Sequence, residues 1–202
     1  MGEINFYKYS DLKFDELNKM IVRRFNSAKR EIKKKKYKDN YKILSILYRQ
    51  LDTDARYHLK QLVSQQYRYI GKEIGLKEFD GEFEDLFLEN ILAEPDPITL
   101  YSYEAEVYRK RDRAVEGTDA SHKTSELDKS MMLWSQMVGQ YADNVSYMAA
   151  VKAYEDAGIK YVRWVTQRDN RVCKTCEERD GRIYPVEALP TRPHWRCRCW
   201  FY

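Results

Sequence analysis

All four cysteines of this 202-residue chain fall between positions 173 and 199, and the first 172 residues contain none. That asymmetry constrains the fold more than any other feature. The tail reads "RVCKTCEERDGRIYPVEALPTRPHWRCRCWFY". In it, Cys173-x2-Cys176 is followed after 17 residues by His194-x2-Cys197, with Cys199 just beyond. A two-residue gap lets one tight turn present two ligands to one ion, and two such turns satisfy the four N/S ligands that Zn²⁺ takes in a tetrahedron. Cys199 is then a surplus ligand. In a regular strand Cys197 and Cys199 would project the same way but sit about 6.6 Å apart. Sulfurs on one tetrahedral zinc lie about 3.8 Å apart. Both can bind only if the chain bends between them. The expected set is Cys173 and Cys176 with two of His194, Cys197 and Cys199, holding one structural zinc. Two disulfides, or packed reduced thiols beside a solvated histidine, compete as readings of the same residues. A catalytic metal is disfavoured, because four or five protein ligands leave no open coordination position. No paired carboxylates and no Ser/His arrangement accompany the cysteines, and His58 and His122 stand isolated in the sequence.

The segment around the cysteines differs in character from what precedes it. "IKYVRWVT" is β-branched and aromatic and reads as a strand. Asp180-Gly181 marks a turn between short elements, and "LPTRP" interrupts regular structure again. A boundary near Gly158 divides a helical body, 1–158, from a Cys/His-rich, β-containing module, 159–202. A module of about 44 residues buries too little apolar surface to stand comfortably alone, and a metal staple is one remedy.

The body reads as helices. Ser10 or Asp11 can cap a helix carrying Phe14, Leu17, Ile21, Phe25, Ala28 and Ile32 at three- and four-residue spacing. A second helix carries Ile43, Leu47, Leu51, Leu59, Leu62, Ile70 and Ile74, and Gly75 suits its end. A short acidic helix spans roughly 82–93. Asp96-Pro97 predicts the start of a fourth helix reaching about Val115, with "EGTDASHKTSE" as a loop. The longest helix, near 123–157, carries Leu127, Met131, Trp134, Val138, Tyr141, Val145 and Met148 and stops at Gly158. At about 1.5 Å per residue it would be roughly 50 Å long and needs partners along its length. The fold class expected is mainly α: an elongated helical body with a small C-terminal α+β module stapled by zinc.

The net charge of +4 is unevenly spread. Lys19–Lys42 holds eleven Lys/Arg against two acids, and the segment from Arg163 onward holds nine against five, so the middle is net acidic. This pattern predicts either separate electrostatic roles or self-complementary packing. Within "KREIKKKKYKDNYK", Lys33, Lys34, Lys35, Lys36 and Lys38 read either as a solvated helix end or as a contact for a polyanion. As a nucleic-acid contact they would act through phosphates, without sequence preference and with strong salt dependence. Arg171, Lys174, Arg179, Arg182, Arg192, Arg196 and Arg198 could add to that contact. The 17 tyrosines fall largely on helix stripes and read as core. No apolar run approaches the ~18–20 residues of a membrane span. The N-terminus lacks the basic and apolar pattern of a secretory signal, which points to synthesis in a cytoplasm and disfavours a disulfide framework.

The tail resembles the C-terminal domain of the phage head-morphogenesis family, the Mu F-like minor head or minor capsid proteins. That family's pattern is a strand with a Trp, an Asp, Cys-x2-Cys, an Asp/Asn-Gly, a Pro-containing stretch, then His-Pro-x-Cys-Arg-Cys. Trp164, Asp169, Cys173, Cys176, Asp180-Gly181, Pro190, Pro193, His194 and Cys197-Arg198-Cys199 fill those places. Trp195 departs from it, standing where the family usually has Pro. The close match covers roughly 158–200, and the long helix before it fits more loosely. The resemblance implies a virion protein in few copies, inside the capsid near the portal vertex, acting in head assembly and in DNA packaging or ejection. Its implied partners are the portal protein, packaged DNA and the major capsid protein. It implies no enzymatic activity. The competing readings are a zinc-containing nucleic-acid-binding protein without a capsid role, and a metal-dependent nuclease.

Overall fold

A computed structural model describes residues 8–76, 83–95, 99–168, 170, 172–193, 197 and 199–201, with the side chains described from Lys13 onward. The apolar periodicity of the body becomes five helices: α1 (Lys8–Lys34), α2 (Asn40–Glu73), α3 (Glu84–Ala93), α4 (Tyr103–Ser121) and α5 (Glu126–Asp156). On α1 the buried positions are Leu17, Ile21, Phe25, Ala28 and Ile32, the three- and four-residue spacing that places one stripe against a core. α2 ends as its glycine predicts, with Gly75 in the left-handed region at φ 81°. Gly158 does the same after α5, at φ 69°.

α5 is the axis of the body. It packs against α1, α2, α3 and α4, so burial extends beyond the one stripe that the sequence shows. Trp134, Val138, Tyr141 and Val145 are buried, and so are Ala149, Ala150 and Ala153, whose small side chains permit close neighbours. Three aromatic rings lock α1, α2 and α5 together. Tyr48 meets Phe25 edge-on at 6.2 Å and Trp134 edge-on at 5.4 Å, arrangements that add roughly 0.5–1.5 kcal/mol each beyond area burial.

Two boundaries differ from the sequence expectation. α4 begins at Tyr103 with Ser102 as its cap, the Ser102 hydroxyl accepting from the Ala105 amide; the Asp96-Pro97 cap predicted for it lies outside the described residues. α4 also continues to Ser121, so most of the stretch read as a loop after Val115 is helical. The cause is tertiary. Ala114 and Thr118 are buried on the inner face of α4, and the Thr118 hydroxyl donates to the Ala114 carbonyl at 2.7 Å, so a polar residue is satisfied inside the bundle.

The acidic middle is largely self-complementary. Glu89 and Asp85 of α3 pair with Arg56 and Lys60 of α2 at 2.7 and 2.6 Å. Arg24 of α1 pairs with Asp54 of α2 at 2.9 Å. The two α2–α3 pairs are largely exposed, and exposed pairs contribute about 0–1 kcal/mol each. None of the helices among the described residues is long and apolar enough to cross a membrane.

His58, on α2, is buried with Nδ1 lacking a hydrogen-bond partner. Burial and nearby Lys13 hold its pKa below the ordinary value, against the opposing pull of Glu16 and Asp54. The unfolded chain therefore takes up a proton near pH 6.5 that the folded chain resists. Stability should fall as pH drops below the unfolded value of about 6.5, and should keep falling until pH passes the lowered folded pKa. His58→Gln should flatten this slope in urea unfolding; parallel curves for the two proteins would remove His58 as the cause.

After Gly158 the chain forms β1 (Tyr161–Val165), α6 (Lys174–Arg179), β2 (Ile183–Pro185), a 3-10 turn at Val186–Ala188, and β3 (Trp200–Phe201). The sheet order is β2-β1-β3, antiparallel throughout, with Val162 opposite Tyr184 and Trp164 opposite Phe201. Val162 and Trp164 alternate inward on β1, while Tyr161 points to solvent. The core of this sheet is continuous with that of the helices. Phe201 packs on Trp164 of β1 and on Tyr147 of α5, at 5.2 Å in each case. The Tyr154 hydroxyl of α5 donates to the Phe201 carbonyl at 3.0 Å.

Candidate metal centre

α6 starts at the first cysteine pair. Cys173 is its N-cap, and its sulfur accepts from the Cys176 amide at 3.4 Å. One helical turn then aims the Cys176 side chain into the core. Cys197 and Cys199 come from the segment before β3, and neither lies in a strand. The 6.6 Å separation of a regular strand therefore does not apply, and both sulfurs reach the same point. The sulfurs of Cys176, Cys197 and Cys199 all lie within 4.8 Å of one another, and the cluster can hold a metal ion. Cys176 and Cys197 are separated by 3.3 Å. The three residues are 1, 1 and 4% exposed. Cys173 is half-buried at the rim, and its thiol interacts with that of Cys176.

The electrostatics follow from packing several thiols together. A hydrogen bond from the Cys199 thiol holds the Cys197 thiol well below the usual range, against the cost of burial. The same bond, with burial, pushes Cys199 up. Burial pushes Cys176 up. No disulfide joins the four cysteines. The 3.3 Å approach of the Cys176 and Cys197 sulfurs is well beyond an S–S bond of about 2.05 Å. An all-sulfur set with no carboxylate fits a soft or borderline cation.

The surroundings hold this corner in place. The Asp180 carboxylate accepts from the Thr166 amide at 3.0 Å and from Arg168 Nε at 2.9 Å. The Gly181 amide donates to the Trp164 carbonyl, with Gly181 in the left-handed region at φ 77°. Arg179 lies 5.0 Å over the Trp164 ring and donates to the Thr191 carbonyl. Arg192 lies 5.6 Å over Tyr147 of α5.

The other sequence-predicted residues are dispersed. His194 lies outside the described residues, as do Asp169, Arg171, Trp195, Arg196 and Arg198. Arg179 and Arg192 are engaged in packing the module; Lys174 and Arg182 are exposed. Lys33 and Lys34 close α1, and Lys35, Lys36 and Lys38 form the turn to α2; all five are exposed. That turn is reinforced by Tyr37, which stacks on His122 at the end of α4, with ring centroids 5.7 Å apart. Lys29 of α1 pairs with Asp128 in the first turn of α5, whereas the module contacts Asp143, Tyr147 and Tyr154 farther along α5. The lysine turn and the cysteine cluster thus lie toward opposite ends of that helix. Sequence reading missed the contacts that join the module to α5, although the aromatic pair Trp200-Phe201 after the last cysteine was a visible signal of burial. No family model matches this chain, and no curated protein and no solved structure matches it.

Proposed function

We propose that this chain is a structural protein of a phage head, without enzymatic activity, whose C-terminal module is stapled by one zinc ion and which binds at the portal vertex. The observation that carries the reading is the convergence of Cys176, Cys197 and Cys199 at one buried point, in the segment whose sequence resembles the minor head proteins. Cys176, Cys197 and Cys199 would hold the ion, with Cys173 or His194 as the fourth ligand. A zinc bound by four protein ligands supplies cross-linking and no reactive position. Its effect is to fix α6 and β3 against β1, so that the module presents one rigid surface beside α5. The helices supply length, and the unneutralised lysine turn supplies a polyanion contact at the far end.

Co-expression with the portal of the same phage tests the reading. The two proteins should co-purify. Raising salt should weaken the complex without abolishing it, since screening reaches exposed charges more than buried apolar surface. Absence of association at low and at moderate salt would overturn the portal assignment. So would density for the chain across the whole shell at major-capsid stoichiometry. The exposed lysines favour one second reading, a zinc-stapled nucleic-acid-binding protein with no capsid role. Tight binding to free nucleic acid with no portal association would select it.

A further inference from the structure

The structure places an aromatic and cationic surface directly beside the lysine turn. α2 and α4 run antiparallel, joined at one end by Asn40 donating to Asp119 at 2.6 Å and at the other by Arg56 stacked over Tyr103 at 5.2 Å. Between them lies a groove of about 310 Å³, whose polar lining includes Arg49, Asp52 and Arg56 from α2 and Glu104, Tyr108 and Arg111 from α4. At the end nearest Lys38 the Arg111 guanidinium lies over two rings at once, Tyr41 at 5.8 Å and Tyr108 at 5.1 Å. Those rings are 62 and 49% exposed. The Tyr108 hydroxyl is tied to Glu104 at 3.2 Å and Arg111 to Asp112 at 2.8 Å, so the stack is held in one arrangement. Among the described residues, Arg49 and the five lysines of the turn make no ion pair.

Large exposed rings beside unneutralised cations suit a ligand that has both flat faces and negative charge. A duplex offers phosphates but keeps its base faces stacked inside. A single strand offers both, and aromatic platforms next to basic tracks are how such strands are held without sequence preference. We propose that the α1–α2 turn and the mouth of the α2–α4 groove form one binding track for single-stranded nucleic acid. Phosphates lie over Lys33–Lys38 and Arg49, and bases stack on Tyr41 and Tyr108. This rests on the reading of the lysine turn as a polyanion contact and adds strand selectivity to it.

Fluorescence anisotropy of the full chain with an oligothymidylate of about 20 nucleotides, against a duplex of equal length, tests the track. The single strand should bind roughly tenfold tighter or more at moderate salt. Tyr41→Ala with Tyr108→Ala should weaken single-strand binding about tenfold to a hundredfold, the range for losing one or two stacked bases, and leave duplex binding unchanged. Tyr41→Leu keeps bulk and removes the ring, and should show the same direction if the alanine pair folds poorly; Tyr41→Phe should bind as the parent does. Changing Lys33, Lys34, Lys35 and Lys36 to Gln should weaken both ligands and flatten the single-strand salt dependence by about 0.7 log unit for each phosphate no longer neutralised. Single-strand binding unaltered by the tyrosine changes overturns the track while leaving the lysine contact intact. A polyglutamate peptide that binds equally well, with the same tyrosine dependence, overturns it in favour of an acidic protein partner. No binding of either nucleic acid overturns both contacts, and the portal experiment still judges the structural role.

Discussion

Purified in reducing, chelator-free buffer, the protein is expected to carry about one zinc per chain, as a single four-ligand set requires. Cys176→Ser, Cys197→Ser and Cys199→Ser should each remove most of the metal, because the three sulfurs form one group. The fourth ligand is expected to be Cys173, whose thiol already interacts with that of Cys176. Cys173→Ser should therefore lower metal content, and His194→Asn should leave it near one. Stripping the ion should expose amides across α6 and the segment leading into β3 while the helical body persists, since binding and folding are coupled in small metal modules. Metal content by mass spectrometry and hydrogen exchange before and after chelation give the measurements. Full protection of α6 in metal-free, reduced protein would refute the staple.

Phe201→Ala is expected to destabilise the protein by about 3–5 kcal/mol, the range for deleting a large buried aromatic side chain. Phe201 is 1% exposed. Its ring fills the space between Trp164 of β1 and Tyr147 of α5, so the deletion opens a cavity where the module meets the helical body. Tyr154→Phe probes the same seam more gently. It removes one hydroxyl and leaves the Phe201 carbonyl without that donor, a loss of roughly 1–3 kcal/mol. Urea unfolding reads both. A cost below about 1 kcal/mol for Phe201→Ala would mean that the module and the body do not share a core. If the module unfolds separately in the variant, a second transition should appear, because two-state behaviour requires the parts to be coupled.

The periodicity of the sequence carried most of the helical body. The Leu17–Ile32 stripe of α1 needs no partner to be recognised, because residues three and four apart share a face in any α-helix. Gly75 and Gly158 are readable stops for the same local reason: a left-handed residue costs least at glycine. The start of α4 was not legible. Asp96-Pro97 is a stronger local signal than Ser102, and the helix begins at Tyr103 with that ring buried among α2 and α5. Its end was not legible either, because Gly117 and the polar run after it look like a loop until Thr118 is seen buried against its neighbours.

For the candidate site, sequence by itself determined which residues are chemically eligible. The spacing of Cys173 and Cys176 dictates a one-turn pair, and outside 173–199 the chain offers no thiols. It also made the lysine run visible, since local charge density does not depend on the fold. Tertiary structure decided three matters. It brought Cys197 and Cys199 to one point by keeping them out of a strand. It set Arg179 over Trp164 within the module and Arg192 over Tyr147 of α5. And it set Tyr41, Tyr108 and Arg111, which are 67 and 3 positions apart in the chain, into one stack. The reason is the same in each case. Spacing along a chain fixes neighbours within about one helical turn, whereas which faces of different elements meet is settled by the shared core that they bury.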